Sequence, residues 1–196
     1  RPRRFSADLI EAFGGIDGVL LGVALVAVLV ILLLVYRSLL LPLTVLMTSM
    51  VALCAAILVV YFMAKEGIIR LDGQAQGILS ILVIGAATDY SLLFVARHKE
   101  ALSSGLNRWQ AVAKAWKRSL EPIIASGGTV TVGLLCLLFS DLNSNKALGP
   151  IGASGIVFSI IAALSFLPAV LGLLGRAAYW PFLPQPQEED AQAQAQ

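Results

Sequence analysis

The 196 residues are 58% hydrophobic and only 13% charged, with a mean hydropathy of +0.86. A water-soluble domain carries about 45–50% apolar and about 25% charged residues, so this chain has too little polar surface to cover itself in water. Its net charge of +2 says nothing by itself about a nucleic-acid partner, and none is expected; where the charges sit is more informative.

The chain begins with Arg1 rather than Met, and no charged-then-apolar-then-small leader precedes the first apolar run. It reads as an excised domain. Residues 1–17 form a short polar lead-in with Arg1, Arg3 and Arg4. A membrane-crossing helix needs about 20 mostly apolar residues, and five stretches qualify: 18–36, 39–63, 77–96, 122–139 and 148–175. The expected fold is therefore all-α, a polytopic bundle of five transmembrane helices.

Only Arg37 and Ser38 break the apolar run between the first and second spans. An arginine at the bilayer centre is costly, so a tight hairpin at the membrane surface is expected there, with Pro42 near the start of the next helix. Lys65 to Gln76 and Ser140 to Lys146 form further polar connections. The stretch between spans three and four holds Arg97, Lys99, Arg108, Lys114, Lys117 and Arg118. By the bias of basic residues it is cytoplasmic, which makes the N-terminus extracytoplasmic and the C-terminus cytoplasmic in a multi-pass protein of the cell membrane.

Within that stretch Trp109, Val112, Ala113, Trp116 and Leu120 fall on one helix face and the basic residues off it. This spacing predicts an amphipathic helix over 107–120 lying at the membrane interface. Tyr179 and Trp180 are expected in the same aromatic belt. Residues 177–196, rich in Gln, Ala, Glu and Pro, read as a disordered tail or linker.

Asp89 stands out, in Gly85-Ala86-Ala87-Thr88-Asp89-Tyr90 past the middle of the third span. An ionised carboxylate there is expensive, so the group is expected to exchange a proton, as a proton-coupled machine requires. Tyr90 adds a hydroxyl able to donate and accept. The structural alternative is an Asp that only hydrogen-bonds a neighbouring helix. Gly85, Gly127 and Gly128 are candidates for close helix packing, as are Gly14, Gly18 and Gly22 and the series Gly149, Gly152 and Gly155; this spacing suits a homo-oligomer as well as internal packing. Ser126 is a candidate support for a proton path, although hydroxyls in helices commonly bond their own backbone.

Cys54 and Cys136 lie in apolar runs and read as buried small hydrophobes. With one histidine, His98, no metal site is expected. No Gly-rich loop ending in Lys-Ser or Lys-Thr is present to hold a nucleotide, and neither enzyme chemistry nor a cofactor is expected.

Four stretches in order carry a family resemblance: Val35-Tyr36-Arg37-Ser38-Leu39-Leu40-Leu41-Pro42, Asp72-Gly73-Gln74-Ala75-Gln76-Gly77-Ile78-Leu79, Gly85-Ala86-Ala87-Thr88-Asp89-Tyr90-Ser91-Leu92-Leu93 and Asp141-Leu142-Asn143-Ser144-Asn145-Lys146-Ala147-Leu148-Gly149-Pro150. They resemble the MmpL family of the resistance-nodulation-division (RND) superfamily, abundant in actinobacteria, over about residues 13–175. The resemblance implies helices two to six of the first half of an AcrB-like transmembrane domain, with residues 1–17 the end of a preceding extracytoplasmic domain. It further implies that Asp89 and Tyr90 relay protons together with an equivalent pair from a second half of the same protein. The function so implied is membrane export of lipids or hydrophobic compounds by proton antiport, with membrane lipids, protons and that second half as partners. Two rivals remain at this point: a sterol- or lipid-sensing regulatory membrane domain, and a SecDF-like protein-export accessory.

Overall fold

The computed structural model describes residues 2–70 and 73–180, with side chains from residue 18 onward except Ser144. Five helices follow one another: α1 (Pro2–Tyr36), α2 (Leu40–Lys65), α3 (Gly73–Ser103), α4 (Arg108–Leu135) and α5 (Asn143–Leu174). Short 3-10 turns extend α4 through Cys136–Phe139 and α5 through Gly175–Tyr179. Among the described residues there is no strand, and each of the five helices has a stretch long and apolar enough to cross a membrane. The chain is an all-α membrane bundle.

Short turns make sequential helices antiparallel neighbours. The tightest turn joins α1 to α2, where Arg37 adopts φ +49°. That left-handed conformation is rare for a residue with a side chain, and here it ends α1 within one residue. α5 is the hub, packed along α2, α3 and α4, while α1 lies outside against α2 and α3. The glycine series on α5 explains the close fit. A methyl on Gly149 would press on the Leu134 carbonyl at 2.8 Å, and one on Gly155 would strike Leu79 at 2.8 Å and Val83 at 2.7 Å.

Three apolar clusters fill the interior. One, at the basic end, holds Leu32, Leu41, Phe94, Leu102, Leu167 and Leu171. A second, toward the opposite end, includes Leu53, Leu79, Val83, Ile84 and Ile151. Between them Tyr90, Ile123 and Ala163 bring α3, α4 and α5 together. The outer surface is equally apolar, with Leu34, Leu58, Val132 and Leu173 all exposed. Such a surface suits hydrocarbon, where burial within protein gives apolar groups little further gain.

Several boundaries differ from the sequence-based expectation. The amphipathic stretch 107–120 is the first half of α4, and the helix continues through Pro122 instead of breaking. Packing on α5 decides this: Trp116 Nε1 donates to the Leu164 carbonyl at 3.1 Å, and the Trp109 ring fills the space a side chain at Gly172 would need. The two indoles thus brace α4 against α5.

Residues 177–180, expected in a disordered tail, belong to the bundle. The Ser38 hydroxyl reaches the carbonyls of Ala178 at 2.9 Å and Trp180 at 2.8 Å, and Tyr179, expected in an aromatic belt, is buried. Gly175, at φ +56°, makes the turn that sends the chain back over the bundle. Cys54 and Cys136 are exposed on the apolar surface rather than buried, because in this bundle apolar residues line the outside as well as the core. Residues 2–17 are helical and continuous with the first span. The remainder of the expected tail, 181–196, and Asp72 of the second sequence stretch lie outside the described residues.

Candidate functional site

Three consecutive residues of α3 point three ways because each helical step turns by about 100°. Thr88 faces α2 and meets the Ser49 hydroxyl at 3.3 Å in a buried contact. Tyr90 faces α4 and is 7% exposed. Between them Asp89 points out of the bundle and is exposed.

The Asp89 face is an uncovered stripe. A methyl group on Gly85, one turn earlier, would meet nothing within 4 Å. Ala96, two turns later, is likewise exposed. Among the described residues both ion pairs belong to Glu100, with Arg97 at 3.2 Å and Arg118 at 3.0 Å. Asp89 enters neither. Its carboxyl therefore sits near the middle of a membrane-spanning helix, free of a basic partner and open to a group arriving from outside this chain.

The Tyr90 side is closed. Its phenol has the Ser126 side chain of α4 as hydrogen-bonding neighbour. The approach depends on Gly127, where an added methyl would collide with Ile160 of α5 and stand 3.1 Å from the Tyr90 hydroxyl. Gly127 is thus a close-packing position, as its sequence neighbourhood suggests. At Gly85 and Gly128 an added methyl would meet nothing within 4 Å, so neither is a tight packing position among the described residues. Gly18 and Gly22 are likewise open, because α1 is peripheral.

Tyr90 and Ser126 thus meet at the α3–α4 seam, while Asp89, the residue before Tyr90, lies on the open face of α3. Sequence reading missed two elements. The Ser49–Thr88 contact joins residues 39 apart, and nothing in either neighbourhood marks them as partners. His98 was placed at the basic end of its helix; it is wholly buried, with Nδ1 2.9 Å from the Tyr179 hydroxyl. No group of three or more metal-ligating residues occurs among the described residues.

The MMPL family model matches residues 2–194. The chain belongs to the MMPL family. Membrane protein SCO0839 of Streptomyces coelicolor is 57% identical over 93% of the chain, which corresponds to 26% of that relative. The apo-petrobactin exporter of Bacillus anthracis is 34% identical over 94% of the chain and 25% of its own length. The siderophore exporter MmpL5 of Mycobacterium tuberculosis is 32% identical over 79% of the chain and 16% of its own length. This MMPL segment spans about a quarter or less of these relatives.

Proposed function

We propose that this MMPL segment is the energy-coupling part of a larger exporter driven by the proton-motive force, moving lipids or other hydrophobic compounds out of the cell. Transport, not bond-making chemistry, is its task. The observation that carries the reading is the contrast at one helical turn: a carboxyl at mid-span on an uncovered face, next to a tyrosine whose hydroxyl is engaged by Ser126. Asp89 is the protonatable group, and Tyr90 with Ser126 conducts the proton along the α3–α4 seam. The second half of the same protein covers the Asp89 stripe, and its charges alter the affinity of the carboxyl for a proton as the halves shift. The relatives named for petrobactin and siderophore export support an export role. The basic residues clustered at one end support a cytoplasmic location for that end and an extracytoplasmic one for the other.

Asp89→Asn in the full-length protein, reconstituted in proteoliposomes with a proton gradient, tests this. Export and proton flux should both collapse. Undiminished export removes Asp89 from the mechanism.

A lipid-sensing reading has one observation in its favour. A cavity of about 540 Å³ lies between the outer ends of α1 and α3, with Leu20 and Leu21 on one wall and Gln74, Gln76 and Ser80 on the other. Mixed apolar and amide lining suits an amphiphile. On that reading lipid binding persists in Asp89→Asn, so the same variant separates the two.

A further inference from the structure

Hydroxyls in this bundle commonly bond the backbone of their own helix. Ser49 donates to the Val45 carbonyl at 3.1 Å, Ser80 to Gln76 at 3.0 Å and Ser159 to Gly155 at 2.8 Å. Ser91 and Ser119 do not. Both are wholly buried, and their hydroxyls have no partner among the described residues. A third such atom is Nε2 of His98, also wholly buried. A buried polar atom left without a hydrogen bond costs about 1–3 kcal/mol, so three of them call for an explanation.

Tyr179 has one hydroxyl proton and two acceptors within reach, the Val95 carbonyl at 3.3 Å and His98 Nδ1 at 2.9 Å. With that proton on Val95, Nδ1 donates to the phenol oxygen and Nε2 bears a free lone pair. The imidazole is held at one nitrogen and open at the other. The neighbouring charges do not engage it: Arg97, Lys99 and Glu100 are exposed, and Glu100 is tied to Arg97 and Arg118. The phenol that meets it is that of Tyr179, which has Tyr36 as an electrostatic neighbour.

Depth ties these atoms to the relay. Tyr90 meets Ser126 across the α3–α4 seam. His98 lies eight residues along α3 from Tyr90, a rise of roughly 12 Å, and Ser119 lies seven residues back along antiparallel α4, roughly 10 Å. The imidazole and the Ser119 hydroxyl are therefore at one level, between the relay and the basic end. Phe94, wholly buried, stands one turn from both Tyr90 and His98 on the same ridge of α3.

We infer that His98 and Ser119 hold an internal water and that His98 is the inward proton station of the transporter, with Phe94 as the barrier between it and the relay. This rests on the proton-coupled reading of Asp89. A proton released from the Tyr90–Ser126 level reaches Nε2 through the water when the Phe94 ring swings aside. The imidazolium keeps its Nδ1 proton on Tyr179 and passes the Nε2 proton to water at the basic end. No other bond changes. Internal water between buried polar groups is a regular part of protein structure, and a histidine is suited to accept and release a proton there.

The test is export and proton flux by the full-length protein in proteoliposomes, with Asp89→Asn and His98→Gln measured side by side. His98→Gln keeps a hydrogen-bonding side chain of similar reach but cannot take up a proton, and export should fall about tenfold or more, with the unfolding temperature held near that of the parent. Normal export by His98→Gln overturns the proposal. If the variant loses both export and thermal stability, Ser119→Val decides: it fills the water site without touching the Tyr179 contact. A several-fold loss of export there supports the station, and undiminished export overturns it. The two readings fail separately. Normal export by Asp89→Asn defeats the relay itself, whereas an inactive Asp89→Asn beside a fully active His98→Gln defeats the His98 station alone.

Discussion

Two faces of α3 differ in a way that composition does not explain. Toward α4 and α5 the helix is closed: Tyr90 is buried, Gly127 lets the helices touch, and Ile160 fills what space remains. Away from them Gly85 and Asp89 stand open, although the residues around both are small and apolar. The closed face packs against α4 and α5 of this chain. The open face has the residues of an interface without a surface to meet, and the one carboxyl of the span lies on it. On the proposed reading, a relay that responds to a second body keeps one side unsatisfied by its own fold, and the open face of α3 fits that requirement.

Breaking the open face at its charge should have the largest effect. Asp89→Asn in the full-length protein is expected to lower export by about 100-fold, the lower range for a lost acid–base group. The unfolding temperature should hold, since the side chain makes no contact that the bundle depends on. A large drop in that temperature would instead mark Asp89 as structural.

Breaking the closed face should cost stability. Gly127→Val forces branched carbons against Ile160 and the Tyr90 hydroxyl, and overpacking of this kind costs about 1–3 kcal/mol. Thermal unfolding in detergent should show the loss, with export reduced in step. An unchanged midpoint would mean that the seam is looser than the structure shows.

Gly85→Val sharpens the comparison from the other side. The position is open in this chain, so stability of the bundle should be unaffected, while export falls several-fold if a second half packs against the stripe. Normal export with a valine there would argue that nothing docks at that level.

The smallest effect is expected for Ser126→Ala. It removes one hydrogen-bonding neighbour from Tyr90, worth about 0.5–1.5 kcal/mol, and export should drop by a few-fold with Asp89 intact. A loss as large as that of Asp89→Asn would promote Ser126 from support to an obligatory carrier.

Much of this was legible from residue order. Five apolar runs, a single acid at mid-span and the Arg37–Ser38 break suffice for the helix count and the first hairpin, because in hydrocarbon a backbone must satisfy its own hydrogen bonds and an isolated charge is costly. The same economy singles out Asp89 and Tyr90. Periodicity could not say which way the 107–120 stretch lies. An indole face suits a membrane surface and a helix groove equally well, and only the position of α5 shows the face touching Gly172 and the Leu164 carbonyl while both indoles stay exposed.

Sequence by itself thus determined the membrane class and the number of helices able to cross a membrane, and it marked the residues proposed for proton chemistry, since those follow from local hydrophobicity and the cost of charge. The tertiary structure alone decided what each small or polar residue faces: Gly127 a neighbour and Gly85 open space, Ser126 a tyrosine, and His98 a buried phenol 81 residues away. Those outcomes depend on the rotation and separation of whole helices, which packing sets jointly across the bundle and no single stretch of sequence encodes.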